Sequence, residues 1–94
     1  MSSEKVNNQN MFGQTPLMVA IEVGAIEKIE FLLKNPELDV NIKDNEGKTA
    51  LMHAAIKGNH NIFTLILKRK EVDVNLQDNE GKTALMYAIG AEQN

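Results

Sequence analysis

Asp44-Asn45-Glu46-Gly47-Lys48-Thr49-Ala50-Leu51-Met52 recurs residue for residue as Asp78-Asn79-Glu80-Gly81-Lys82-Thr83-Ala84-Leu85-Met86, an offset of 34. A weaker third copy, Gly13-Gln14-Thr15-Pro16-Leu17-Met18, stands 34 residues before the first. Residues 13–46 and 47–80 share 15 identities in 34 positions without a gap. Val6-Asn7, Val40-Asn41 and Val74-Asn75 keep the same register, so the polar start of the chain from Lys5 onward belongs to the pattern. A fixed period of this length marks stacked repeats, each of which buries its apolar face against the next. After a short polar lead, 1–4, the units run 5–38, 39–72 and a partial 73–94 that holds a turn and a first helix but no second.

Each unit spells the same local structure. Thr15, Thr49 and Thr83 precede short apolar runs and are placed as helix N-caps, whose hydroxyls accept otherwise unpaired N–H groups. Pro16 follows the first of them, where the first helical position tolerates proline. Gly24 and Gly58 end the first helices, as C-terminal glycines do. Second helices follow, with apolar faces at Ile26, Ile29, Leu32 and Leu33, and at Ile62, Phe63, Leu65 and Ile66, spaced by three and four. Lys34 and Lys68-Arg69-Lys70 close them with cations suited to the helix dipole. An extended Asp-Val-Asn stretch and an Asp-Asn-Glu-Gly turn lead to the next threonine.

The rest of the composition agrees. Of 94 residues, 43% are hydrophobic but only 4% aromatic, with no tryptophan. Such a core suits closely packed helices better than a β-sandwich. The absence of cysteine excludes a disulfide scaffold and any thiolate metal or redox site. Ten basic against thirteen acidic residues, a net charge of −3, argues against a nucleic-acid surface built on phosphate contacts. No apolar run is long enough for a membrane span, and the polar N-terminus has no signal-peptide core. The expected setting is intracellular and cytoplasmic.

The constellation Gly47-Lys48-Thr49-Ala50-Leu51, Ala54-Ala55, Gly58, Leu67 and Asp73-Val74-Asn75-Leu76-Gln77-Asp78 resembles the ankyrin repeat. The resemblance covers residues 5 to about 91. It implies an all-α fold, an ankyrin-repeat solenoid of helix-turn-helix units joined by β-turn or hairpin-like loops. The family period is 33; here it is 34. The extra residue falls in Asn35-Pro36-Glu37-Leu38 and Arg69-Lys70-Glu71-Val72, where the family's glycine is missing, so a longer, differently shaped loop is expected. Met18, Met52 and Met86 stand where the family's histidine ties adjacent turns, so a thinner network between turns is expected. In the family, residues such as Asn41 and Asn75 hold the turn through their side chains, and in animals some are hydroxylated.

Apparent catalytic features dissolve on inspection. Gly47-Lys48-Thr49 and Gly81-Lys82-Thr83 look like the end of a phosphate-binding loop, but the required earlier glycines are Ile42 and Leu76. His53 and His60 lack ligand partners at metal spacing. The repeated Asp39, Asp44, Asp73 and Asp78 read as structural positions, with Asp44 and Asp78 as turn residues that bind their own backbone. Lys68-Arg69-Lys70 is too short for a persuasive basic motif and reads as a solvated helix end. No catalytic, cofactor or metal residue is assigned, and no cofactor is expected.

The resemblance implies protein binding on the concave side, formed by turn tips and first helices. The candidates at the tips are Met11, Phe12 and Gln14, then Asn45, Glu46 and Lys48, then Asn79, Glu80 and Lys82. Along the first helices they are Val19, Glu22 and Val23, then His53, Ile56 and Lys57, then Tyr87. Phe12 and Tyr87 are the expected anchors, because aromatics dominate interface energetics. The alternative is a piece of a longer array, or a weakly self-associating unit. On that reading the missing second helix leaves Leu65, Leu85 and Ile89 uncovered, with Ala91-Glu92-Gln93-Asn94 as a polar extension of the last helix.

Overall fold

A 3-10 turn at Ser3–Asn7 precedes five helices: α1 Pro16–Val23, α2 Ile26–Leu33, α3 Ala50–Lys57, α4 His60–Leu67 and α5 Ala84–Gln93. The computed structural model describes residues 3–93, with side-chain environments for 5–90. The side chains of the polar lead and of the 91–94 extension therefore lie outside the described residues. No strand occurs among those residues. The molecule is elongated, 42 × 25 × 25 Å, as a stack of repeats should be.

The start and stop signals act where the sequence puts them. The Thr15 and Thr49 hydroxyls accept the N–H of Met18 and Met52 at 3.3 Å, and Thr83 does the same for Met86 at 3.4 Å. α1 and α3 end on left-handed Gly24 and Gly58, with φ of 74° and 71°. α2 and α4 end differently, on right-handed Lys34 and Lys68, so the loops after them need no glycine. That is the physical form of the loop substitution noted in the sequence.

The core is a row of side chains contributed by successive units. Leu17, Met18 and Ile21 from α1 join Leu51, Met52, Ala54 and Ala55 from α3, all buried. Ile29 and Leu32 of α2, and Ile62 and Ile66 of α4, close the row from the outside. α1 packs on α3 and α3 on α5, while α2 packs on α4. Leu65 corrects the expectation set by the sequence: it lines a hollow with Ile26, Glu30 and Ile62, toward α2. Phe63 and Leu67, with Leu85, line the side beyond which no further helix is described. The reason is helical phase. At 100° per residue, Phe63 and Leu67 share one side of α4, and Ile62 and Leu65 lie on nearly the opposite side.

Arg69 also departs from its expected role as a solvated helix end. Its guanidinium reaches back to the loop after α2. Nη1 donates to the carbonyls of Leu33 at 2.7 Å and Asn35 at 3.1 Å, and Nη2 donates to Leu38 at 2.9 Å. Glu71 holds the other edge, accepting from Nε at 3.0 Å. That bond, with the nearby backbone and charge, holds the Glu71 carboxyl below its ordinary pKa. The planar fork thus replaces the absent loop glycine as the device that fixes one loop against the next. Arg69→Met is expected to cost about 1.5–3 kcal/mol in urea unfolding, the range for hydrogen bonds to a charged group. Lys68→Met, in the same basic triplet but exposed, should cost under about 0.5 kcal/mol.

Candidate functional site: the concave groove

The turn tips are built by one repeat position, filled by Asp44, Asp78 and Asn10. Asp44 Oδ1 accepts the N–H groups of Glu46 and Lys48, both at 2.9 Å. Asp78 does the same for Glu80 and Lys82, both at 2.9 Å. In the first unit Asn10 takes the role, accepting from Phe12 at 3.0 Å and Gln14 at 2.9 Å. These side chains mimic a backbone turn and leave the following threonine free to cap its helix.

Adjacent tips are tied through asparagine. Asn45 donates its backbone N–H to Phe12 O and its carboxamide to Met11 O, both at 3.0 Å. Asn79 repeats this on Glu46 O at 3.0 Å and on Asn45 O at 3.1 Å. Met18 and Met52 are buried and only pack. The polar connection therefore runs through the tip rather than through the helix start. Asn41 bridges units in the same manner, donating to Glu71 O and accepting from Asp73 N, each at 2.8 Å.

A second layer joins tip to helix. Asp44 Oδ2 lies 2.8 Å from His53 Nε2. At the equivalent place in the third unit the Tyr87 hydroxyl donates to Asp78 Oδ2. In the first unit the pair is Asn10 and Val19, and the link is absent. Burial works to raise the Asp78 carboxyl, but the Tyr87 hydroxyl and the Lys82 and Glu80 N–H groups outweigh it, and its pKa lies below the ordinary value. The same hydrogen bond, with burial and the Asp78 charge, raises the Tyr87 phenol to about 12. The two shifts act at opposite ends of the pH scale. A lowered carboxyl contributes stability that is complete at neutral pH and is lost as pH falls through the folded-state value. A raised phenol contributes stability that is complete below its unfolded value near 10 and is lost as pH rises toward about 12. Tyr87→Phe is expected to cost about 1 kcal/mol at pH 7. In urea titrations at stepped pH, the gap between this variant and the parent should close in the alkaline range.

Tips and first helices together enclose a groove of about 450 Å³ lined by Phe12, Gln14, Glu22, Asp44, Asn45, Glu46, Lys48, His53 and Ile56. Of the sequence candidates, the groove thus gathers Phe12, Gln14, Glu22, Asn45, Glu46, Lys48, His53 and Ile56. Met11 is exposed at the outer tip, Val19 on α1, and Val23 and Lys57 at the far ends of the first helices. Asn79, Glu80 and Lys82 form the third tip, outside the groove, with the Lys82 ammonium 5.6 Å from the Tyr87 ring centre. The Tyr87 hydroxyl is taken up by Asp78 and the His53 Nε2 by Asp44. Asp44 is the lining residue that the sequence assigned to structure alone. The offset of nine from Asp44 to His53 and from Asp78 to Tyr87, repeated at the period, is the signal that could have linked the two roles.

Phe12 is 63% exposed and Ile56 46%, and both line the groove. Glu22 and Glu46 give the groove an acidic lip; Glu46 also accepts from Lys48 Nζ at 3.2 Å. Among the described residues, no group of three or more His, Cys, Asp or Glu side chains is arranged to hold a metal ion. No helix among them is long and apolar enough to cross a membrane.

A stack of paired helices with asparagine-linked tips and an inner groove defines a helical-repeat protein of the kind that presents an extended surface. The family model described as ankyrin repeats (3 copies) matches residues 36–94, and the one described as ankyrin repeats (many copies) matches residues 3–54. The chain belongs to the ankyrin-repeat family. Comparison with curated proteins finds no match. Ankyrin repeats are in general protein–protein interaction modules, and the family is generally non-catalytic.

Proposed function

We propose that this chain is a non-catalytic, intracellular protein-binding module whose partner docks in the concave groove. The observation that carries this reading is the exposure of Phe12 and Ile56 in the lining of one groove of about 450 Å³. Two apolar anchors facing one hollow, with Glu22 and Glu46 at its edge, suit a segment bearing an apolar side chain beside a basic one. The groove's Asp44 carboxylate is spent on the Glu46 and Lys48 N–H groups and on His53. Nothing in the reading needs a cofactor, a nucleic acid or a membrane.

Affinity capture from the source cell, with the parent chain and groove variants side by side, tests this. Phe12→Ala and Ile56→Asp are each expected to weaken capture by roughly thirtyfold, the effect of a hot spot worth about 2 kcal/mol. Lys34→Ala, on the outer side, should leave it unchanged. A partner retained by the Phe12→Ala, Ile56→Asp double variant would place the binding surface elsewhere.

A further inference from the structure

The repeat supplies its own reference for the concave surface. At the tips, Met11 and Phe12 of the first unit stand where the others have Asn45 and Glu46, and Asn79 and Glu80. Along the first helices, Val19 stands where the others have His53 and Tyr87, and Val23 where the second has Lys57. Apolar side chains thus occupy positions that the second unit fills with polar ones. These positions are open by geometry and not for want of a neighbouring unit. Asn45, Glu46 and Lys57 are exposed as well, although α3 is packed between α1 and α5. Val23 is 72% exposed and Val19 38%. With Glu22 they fall at i, i+3 and i+4 on one side of α1, and Glu22 lines the groove. An apolar stripe therefore continues from Phe12 along the groove side of α1.

Charge along this surface is uneven. Glu46 pairs with Lys48 at 3.2 Å and Glu80 with Lys82 at 3.8 Å, so the second and third tips neutralise themselves. Glu22, the charged residue of α1, has no ion pair among the described residues and stands beside the two valines. The backbone around the groove is already satisfied. The tip N–H groups of Phe12 and Gln14 are bound by Asn10, and those of Glu46 and Lys48 by Asp44. The walls below them are the helices α1 and α3. Such walls offer an extended segment no sheet edge to pair with, whereas a helix brings its backbone hydrogen bonds with it.

We propose that the first unit's concave side takes a short amphipathic helix of a partner, its apolar stripe against Phe12, Val19 and Val23 and a basic side chain over Glu22. This rests on the groove as the docking site and adds the partner's conformation and its placement on the stack. The probes are two phage-displayed libraries, one of random linear peptides and one with a single randomised face on a stable helical hairpin, selected on the full chain. The helical library should yield clones with apolar residues spaced three and four apart and an adjoining Lys or Arg. Val19→His with Val23→Lys, the residues the second unit carries at these positions, should keep the circular dichroism of the parent and weaken those clones at least about tenfold. Selection on Glu22→Lys should enrich Asp and Glu in place of Lys and Arg. Leu85→Asp, on α5, should leave binding unchanged. The proposal fails if only linear clones emerge, if Leu85→Asp abolishes binding, or if Glu22→Lys still selects basic residues. Helical clones that ignore the valine substitutions but are lost on Phe12→Ala with Ile56→Asp would overturn it and leave the groove reading standing. Clones that ignore both sets of substitutions would overturn the groove reading too.

Discussion

Leu51→Ala should destabilise the chain by about 2–5 kcal/mol, and Leu85→Ala by less than about 0.5 kcal/mol. The comparison is unusually clean, because the two leucines sit in identical nonapeptides, residues 44–52 and 78–86. Capping by Thr49 or Thr83, helix propensity and unfolded-state behaviour near the site are matched. What differs is the neighbour. Leu51 lies on α3, which packs against α1, α4 and α5, and is 2% exposed, whereas Leu85 has no second helix packed over it among the described residues and is 61% exposed. Truncating Leu51 removes buried contacts and leaves a cavity that a helix stack cannot fully collapse. A domain of this size has only a few kcal/mol in hand, so the Leu51 variant should be partly unfolded at 37 °C. Urea unfolding followed by circular dichroism reads both values. Equal costs would mean that Leu85 is covered in solution, and the concentration dependence of the midpoint would then show by what.

The outline of the fold was legible because each boundary is set by a residue with a local reason. A threonine supplies the acceptor that a helix start lacks, and Gly24 and Gly58 adopt the left-handed turn that ends α1 and α3. Repetition at 34 then fixed the order of stacking. What stayed hidden were contacts whose two ends lie a full unit apart with no local mark. Arg69 in its basic triplet resembles any solvated helix end, yet it serves carbonyls at 33, 35 and 38. The facing of Leu65 and Leu67 turned on the phase of a short helix, which an apolar run of Leu, Ile and Leu does not specify. The inner groove was half legible. Exposed tip positions can be counted from the repeat, but which of them converge depends on the curvature of the stack. Asp44, read as a turn residue, is that and also the wall behind His53.

Gly47→Ala should be far more costly than Gly81→Ala, although the residues around both are again the same. Each glycine has positive φ, 80° and 79°, which an alanine adopts at a cost of about 1–2 kcal/mol. For Gly81 that is the whole effect, because an added Cβ meets nothing within 4 Å. At Gly47 the added carbon would lie 2.5 Å from Asn79 Oδ1 and 2.8 Å from the Asn79 backbone nitrogen. The carboxamide could swing away, but the backbone cannot without giving up the Asn79 N–H bond to Glu46 O and the Asn79 side-chain bond to Asn45 O. Those are the polar links between the second and third tips. Their loss adds about 0.5–1.5 kcal/mol each, so Gly47→Ala should total roughly 2–5 kcal/mol against about 1–2 for Gly81→Ala. Hydrogen exchange separates the two parts of the penalty. In Gly47→Ala the Asn79 amide should lose protection while the amides of α1 keep theirs, since the strain sits between units and not within one. In Gly81→Ala the Asn79 amide should remain protected. If both variants lose the same stability and the Asn79 amide exchanges alike in each, the tips are held by φ alone, and the asparagine links carry little of the stacking energy.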